Sequence, residues 1–266
     1  MDSQTQENSF IPRESKQKQK GKRRFGFWKV FLVTLLILLL GGGGFLYGTS
    51  QGKQFREMII GTVLSSQHPQ YVNYLHFLLS QKDIDSLYNT MKHPKVVQST
   101  IKDVSYPEKA GADNTIQTLE VDNLNFTAKV LIIPNPKSVH LMVTKYTEKG
   151  QPLSELIQQN GGIAGINGGG FYDKGGHGSG GQMIGIAISN GKVLSAPKGG
   201  NGVARLVGGL LASGEFISGN YSINQLQKLG VTDAVQFGPQ IIVNGKSAVS
   251  SSINSAWGWA PRTAIG

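Results

Sequence analysis

Eighteen consecutive residues without a charge, Val30 to Tyr47 (VFLVTLLILLLGGGGFLY), constrain this chain more than any other stretch. Extended back over Phe25-Gly26-Phe27-Trp28, the run reaches the roughly 20 residues that a helix needs to cross a bilayer. In hydrocarbon the backbone has no water to bond, so one isolated segment satisfies its own polar groups only as a helix. For the same reason Gly41–Gly44, which weaken a helix in water, are tolerated there. Trp28 and Tyr47 fall where interfacial aromatics sit, and Lys29 can extend its ammonium toward the head groups. The run is too long for a typical signal-peptide core and no small-x-small cleavage site follows it, so it reads as an uncleaved anchor.

The charge of the chain supports a topology rather than a nucleic-acid partner. Of the net +10, residues 1–29 contribute +5, from eight basic and three acidic side chains. The other +5 is spread over the remaining 237 residues and makes no basic patch. Basic residues immediately before a span keep that end in the cytoplasm, which puts residues from about 50 onward outside. Residues 1–24 read as a disordered cytoplasmic tail and 25–48 as the transmembrane anchor. The absence of cysteine excludes disulfides, zinc-thiolate sites, iron–sulfur clusters and cysteine nucleophiles.

Beyond the anchor, residues 49–97 read as a helical stalk or packing platform. Phe55, Met58, Ile59 and Val63 share one face, and Tyr71, Tyr74, Leu75, Leu78 and Leu79 another, with His68-Pro69 separating the two helices. Asp83 to Leu87 begins a further helical turn. Strand character starts near Val96. Thr115–Val121 alternates, Phe126–Ile133 is rich in β-formers, and Val139–Thr144 is expected to follow as a strand. Pro152–Gln159 reads as a helix closed by Asn160-Gly161-Gly162, and Ile163–Ile166 as a short buried strand. Asn190-Gly191 and Asn244-Gly245 mark hairpin turns. Ser222 caps a helix that ends at Gly230. The fold class expected is α+β: a mixed β-sheet domain with short helices over residues 98–266, preceded by the transmembrane helix and the small helical segment.

The richest stretch for chemistry is Asn167-Gly168-Gly169-Gly170-Phe171-Tyr172-Asp173. Twelve of the twenty-five residues from Gly161 to Gly185 are glycine. Ordering such a backbone is entropically costly. It either forms a flexible loop or brings main-chain N–H groups up to an anionic ligand, with Asp173 alongside for proton chemistry.

Four pieces then occur in order: the Asn167–Tyr172 loop; Gly185 with Asn190-Gly191-Lys192; Phe237-Gly238-Pro239-Gln240-Ile241-Ile242-Val243-Asn244-Gly245; and Pro261-Arg262-Thr263-Ala264-Ile265-Gly266. This set resembles the phosphodiester glycosidase family, whose bacterial members are often labelled exopolysaccharide biosynthesis proteins. The resemblance covers roughly residues 98–266. It implies hydrolysis of a sugar-1-phosphodiester, with the Asn167 loop, Gly238-Pro239 and Arg262-Thr263 converging on the site. Family members continue past the Arg-Thr-Ala-Ile-Gly segment to an Asp-Gly-Gly-Gly-Ser segment that helps build the site. The domain is therefore expected to be incomplete at its C-terminal end.

Glycoside cleavage normally takes two carboxyl groups, and after Gly161 the acids are Asp173, Glu215 and Asp233. Asp173 lies in the loop and is the first candidate for catalytic acid or base; a turn-forming role is its alternative. Glu215, beside Ser213-Gly214, reads as a solvated surface group. Asp233, at a strand start, reads as the acceptor of a local backbone hydrogen bond. Arg262 can hold a phosphodiester through its planar fork, with Thr263 beside it, or pair with an acid at a sheet edge. His177 is a second candidate for proton transfer or gating. For substrate binding, Gly168–Gly170 offer N–H groups, Asn167 a sugar contact, and Phe171 or Tyr172 a stacking face. Trp257 and Trp259 are a candidate carbohydrate platform or core. No metal-ligand spacing, Walker loop or nucleophile elbow occurs, and no cofactor is expected. The partners expected are a carbohydrate or sugar-phosphate substrate and the membrane. The functions weighed are a membrane-anchored extracytoplasmic hydrolase of phosphate-linked sugars in envelope glycans and a non-catalytic polysaccharide binder, scaffold or inactive fragment.

Overall fold

The structure is a computed structural model that describes residues 25–101, 115–146, 148–173 and 180–266. The tail 1–24, expected to be disordered, lies outside the described residues. The chain divides into two units, Met1–Gly52 and Lys53–Gly266.

In the first unit, helix α1 (Phe25–Gly48) takes up the apolar run. Its 24 residues span about 36 Å at 1.5 Å per residue, enough for the ~30 Å hydrocarbon core. None of the span Gly26–Gly48 is buried in protein, and it is long and apolar enough to cross a membrane.

The second unit opens with α2 (Ser50–Leu64), which begins at the unit boundary, and α3 (Gln81–Lys92). Between them the expected helix over Tyr71–Leu79 is only a 3-10 turn, Pro69–Tyr74. His68-Pro69 does break the helix as expected, but Tyr71, Tyr74 and Phe77 stay exposed while Val72, Leu78 and Leu79 turn inward. Ser80 caps α3, accepting from Asp83 N at 3.2 Å and donating to Asp83 Oδ2 at 2.5 Å. The bond to Oδ2 favours the ionised carboxylate, so the Ser80 hydroxyl holds Asp83 below the usual carboxylate range, against a smaller opposing effect of burial.

These helices form one core with α6 (Ser251–Trp257). Ile60, Leu79, Ile84, Leu87 and Ala256 are buried together. Gly61 makes the approach possible: a Cβ there would meet Ala256 O at 2.5 Å and Ser255 O closer still. Trp259 N donates to Thr62 Oγ1 at 2.8 Å and Ser65 Oγ donates to Trp257 O at 3.1 Å, tying off the α6 end.

Strands β1 (Gln117–Asp122) and β2 (Thr127–Ile132) make a separate antiparallel hairpin, as the alternation predicts. The segment Val139–Thr144 is extended but joins no ladder. Helix α4 (Leu153–Gln159) is followed by Gly161 at φ +65°, with Gly162 N donating to Ile157 O at 2.9 Å, the glycine-terminated C-cap expected. The expected buried strand Ile163–Ile166 is absent. Ile163 is 84% exposed and Gly165 lies against Ile157 and Leu153 of the helix instead of against a partner strand.

The main sheet is built from β3 (Ala187–Ser189), β4 (Lys192–Ser195), β5 (Arg205–Leu211), β6 (Phe216–Tyr221) and β7 (Val231–Gln236), in the order β4-β3-β7-β5-β6. Each described pairing is antiparallel. Asn190 and Gly191 both take positive φ, 47° and 72°, the turn that Asn-Gly favours between two strands. Helix α5 (Ile223–Lys228) follows β6 with a Ser222/Gln225 capping box and buries Ile223 and Leu226 in the sheet's core with Ile186, Ile188, Val207 and Ile217. Glu215, expected in solvent, is 9% exposed. The β5–β6 turn folds back on itself there, Leu211 N donating to Glu215 O at 2.9 Å. A last small hairpin, β8 (Ile242–Val243) and β9 (Lys246–Ser247), turns on Asn244-Gly245 at φ 50° and 72°.

The free edge of β6 is covered by residues 97–100 through side chains. Gln240, 7% exposed, accepts from Val97 N (2.9 Å) and donates to Val97 O (2.8 Å) and Ser218 Oγ (2.9 Å), mimicking a strand neighbour. Ser99 N donates to Ser218 O at 2.8 Å and Asn220 N to Gln98 Oε1 at 3.0 Å.

Candidate active site

The glycine loop lies against the C-terminal end of β7, the central strand. A Cβ on Gly169 would meet Val235 Cγ2 at 2.5 Å and Gln236 O at 3.5 Å, and one on Gly168 would meet Leu141 Cδ1 at 3.4 Å. Glycine at Gly169 thus lets the backbone settle onto the strand. The loop's far side is fixed by a return segment: Ile184 N donates to Gly170 O (2.9 Å), Tyr172 N donates to Gln182 O (2.7 Å), and Phe171 bridges Met183. Gly185, at φ +80°, leaves room for the Gln236 side chain, whose Oε1 accepts from Ile186 N at 3.3 Å. Two residues past Gln236 comes the cis peptide Gly238-Pro239, with Gly238 packed on Leu206. The structure therefore gathers the loop, the Gly185 turn and the Gly238-Pro239 bend around one strand end.

Within this assembly residues 161–170 are all exposed. Among the described residues, the N–H groups of Gly168, Gly169 and Gly170 donate to no acceptor. Asn167 is exposed, Phe171 and Tyr172 are 45% and 57% exposed, and Asp173 is half-buried. Both aromatics thus remain available for stacking. His177 lies outside the described residues.

Arg262 is held elsewhere. Its Nη2 donates to Trp257 O and lies 3.5 Å from Ser65 Oγ, and its guanidinium sits 5.2 Å from the centre of the Trp257 ring. Burial against these groups lowers its pKa below the usual arginine value. Among the described residues no hydrogen bond joins Arg262 or Thr263 to the Asn167 loop. Trp257 is partly buried in the helical core, and Trp259, 63% exposed, meets Phe55 edge to face at 6.2 Å.

Two side chains next to the loop went unread or misread in the sequence. Asp233 is 5% exposed. Its bond is not the local one expected: Oδ1 accepts from Leu141 N at 2.9 Å, 92 residues away, and Oδ2 lies 3.4 Å from His140 Nδ1. The available signal was an acid inside a strand, two residues after Val231 and next to Ala234, both apolar and buried. Buried carboxylates need partners. Nothing local marked His140 as that partner.

The family model for phosphodiester glycosidases matches residues 160–266. The matched segment resembles that family over less than half of the chain. It contains the glycine loop, the Gly185 turn, Gly238-Pro239 and Arg262-Thr263, the pieces on which the resemblance was read. The solved catalytic domain of zebrafish N-acetylglucosamine-1-phosphodiester alpha-N-acetylglucosaminidase, auto-inhibited by its pro-peptide, is similar in part, at 15% identity and a TM-score of 0.41 over 60% of this chain and 54% of that one. The chain spans about half the length of that structure. No curated protein matches the chain.

Proposed function

We propose that the protein is a membrane-anchored hydrolase that releases a sugar from a sugar-1-phosphodiester of cell-envelope glycans, with α1 as its anchor and the second unit outside the cell. The observation that carries this reading is the glycine loop, whose three consecutive N–H groups are unengaged, in a segment of phosphodiester glycosidase sequence.

A phosphodiester keeps one negative charge at neutral pH. Fixed N–H groups stabilise it most as the C1–O bond lengthens and charge collects on the departing phosphate. Positive charge meanwhile develops at the anomeric carbon, and Asp173 is the loop's carboxylate for that centre. A phosphate monoester leaves without full protonation, so the demand on a general acid is small. Phe171 and Tyr172 offer faces to the sugar, and Asn167 a polar contact to its hydroxyls. With its guanidinium on Trp257 and Ser65, Arg262 pins the final segment to the helical core.

The test is release of reducing sugar from the methyl diester of N-acetylglucosamine 1-phosphate by the 266-residue chain in nanodiscs. Turnover that falls by about 10²–10⁴-fold in Asp173→Asn supports the reading. Tight binding of the diester with no release would favour the non-catalytic binder. Retention in the membrane after alkaline carbonate, with external protease digesting the second unit in intact cells, checks the topology.

A further inference from the structure

His140 and Asp233 form a side-chain pair to which the reading above gives no role. His140 lies before residues 160–266 and reaches the site only through the fold. We propose that His140, held by the buried carboxylate of Asp233 beside the glycine loop, is the proton acceptor for the water that attacks the anomeric carbon.

The placement rests on contacts that share one strand face. Asp233 and Val235 are two residues apart on β7 and so face the same way, about 7 Å apart. Val235 abuts Gly169, and Leu141, whose N–H bonds Asp233 Oδ1 at 2.9 Å, abuts Gly168. His140 is the neighbour of Leu141, with Nδ1 3.4 Å from Asp233 Oδ2. The carboxylate is 6% exposed and the imidazole 40%. A buried ionised acid next to Nδ1 selects the tautomer with hydrogen on Nδ1, which leaves Nε2 as the basic atom. A pair wanted only for packing would have no need of an imidazole left open to solvent.

The inference rests on the glycosidase reading and supplies its missing step. Water attacks C1 as its proton passes to His140 Nε2. The C1–O bond breaks, its electron pair leaves on the phosphate monoester, and the imidazolium returns the proton to solvent. The sum is sugar-1-phosphodiester plus water giving free sugar, phosphate monoester dianion and a proton.

The experiment uses the 266-residue chain in nanodiscs with the same methyl diester and ¹⁵N-labelled histidine. His140→Gln is expected to lower kcat by about 10²–10⁴-fold with KM little changed. Asp233→Asn keeps an oxygen for Leu141 N but presents an amide donor to Nδ1. It is expected to switch the His140 ring to the Nε2–H tautomer in the nitrogen spectrum, with a similar loss of kcat. Wild-type turnover that His140→Gln leaves intact overturns the proposal, as does an Nε2–H tautomer in the wild type. A folded wild type that hydrolyses no diester overturns the glycosidase reading, and the acceptor role falls with it. The wild-type tautomer then still reports whether Asp233 holds the ring.

Discussion

Adding one methyl group at Gly169 and, separately, at its neighbour Gly170 asks whether the loop is held against β7. At Gly169 the new Cβ would lie 2.5 Å from Val235 Cγ2, where ordinary contact begins at 3.4 Å. The loop or the valine must therefore move by about 0.9 Å, and a packed interior resists that. Overpacking of this kind costs about 1–3 kcal/mol. Replacing glycine restricts the unfolded chain and returns about 0.4–1 kcal/mol. The net loss centres near ~1.5 kcal/mol, a fall in Tm of about 3–6 °C for a unit of this size. At Gly170 nothing lies within 4 Å and φ is not positive. Gly170→Ala should therefore keep only the favourable part, raising Tm by about 1–3 °C. The functional readings should part further. A displacement near 1 Å of groups that position substrate costs about 10²-fold in turnover, so Gly169→Ala should lose that much while Gly170→Ala keeps wild-type order. Thermal unfolding followed by tryptophan fluorescence and the diester assay measure both quantities. Equal Tm changes in the two variants, or a stabilised Gly169→Ala, would refute the packing of this loop on the strand.

Three further outcomes are expected elsewhere. Gly61→Ala gains helix propensity of about 1 kcal/mol yet drives its Cβ into the Ser255 and Ala256 carbonyls. It should be destabilising overall, seen as a lower Tm and a red-shifted Trp257 emission. Because Ser80 depresses the Asp83 pKa, the stabilisation from Asp83 is full above the unfolded value near ~3.9 and fades as pH falls through the lower folded value. Amide exchange in α3 should therefore accelerate in that acid window, and Ser80→Ala should shift the onset to higher pH. Gln240→Ala removes three hydrogen bonds around Val97 and Ser218 and should cost about 1–3 kcal/mol, with faster exchange at Val97 N–H and Ser99 N–H.

The features that could be read from the residues were those set by local chemistry. The long apolar helix α1 follows from composition alone, the Asn190-Gly191 and Asn244-Gly245 turns from the backbone freedom their positive φ demands, and α5 from its Ser222/Gln225 box. What the residues do not reveal is set by distant parts of the chain. Ser251–Trp257 (SSINSAW) has the composition of a loop and is a helix because Ile253 and Ala256 find cover on α2 and α3. Ile163–Ile166 has the composition of a core strand and stays in solvent because no ladder reaches it. Asp233 was placed in its strand, but its partners are 92 and 93 residues away, beyond any spacing rule. Arg262 fitted a phosphate fork by type, and its position on Trp257 depends on the α2–α6 contact.

The joining of α2 to α6 has a consequence for biosynthesis. The bond from Trp259 to Thr62 links residues 197 apart, so α2 and α3 are synthesised well before their packing partner. Contacts of such span slow folding because loop closure must precede the reward. Until translation reaches Ala256, Ile60 and its neighbours have no α6 to cover them, and the nascent chain is most open to proteases and holdases in that interval.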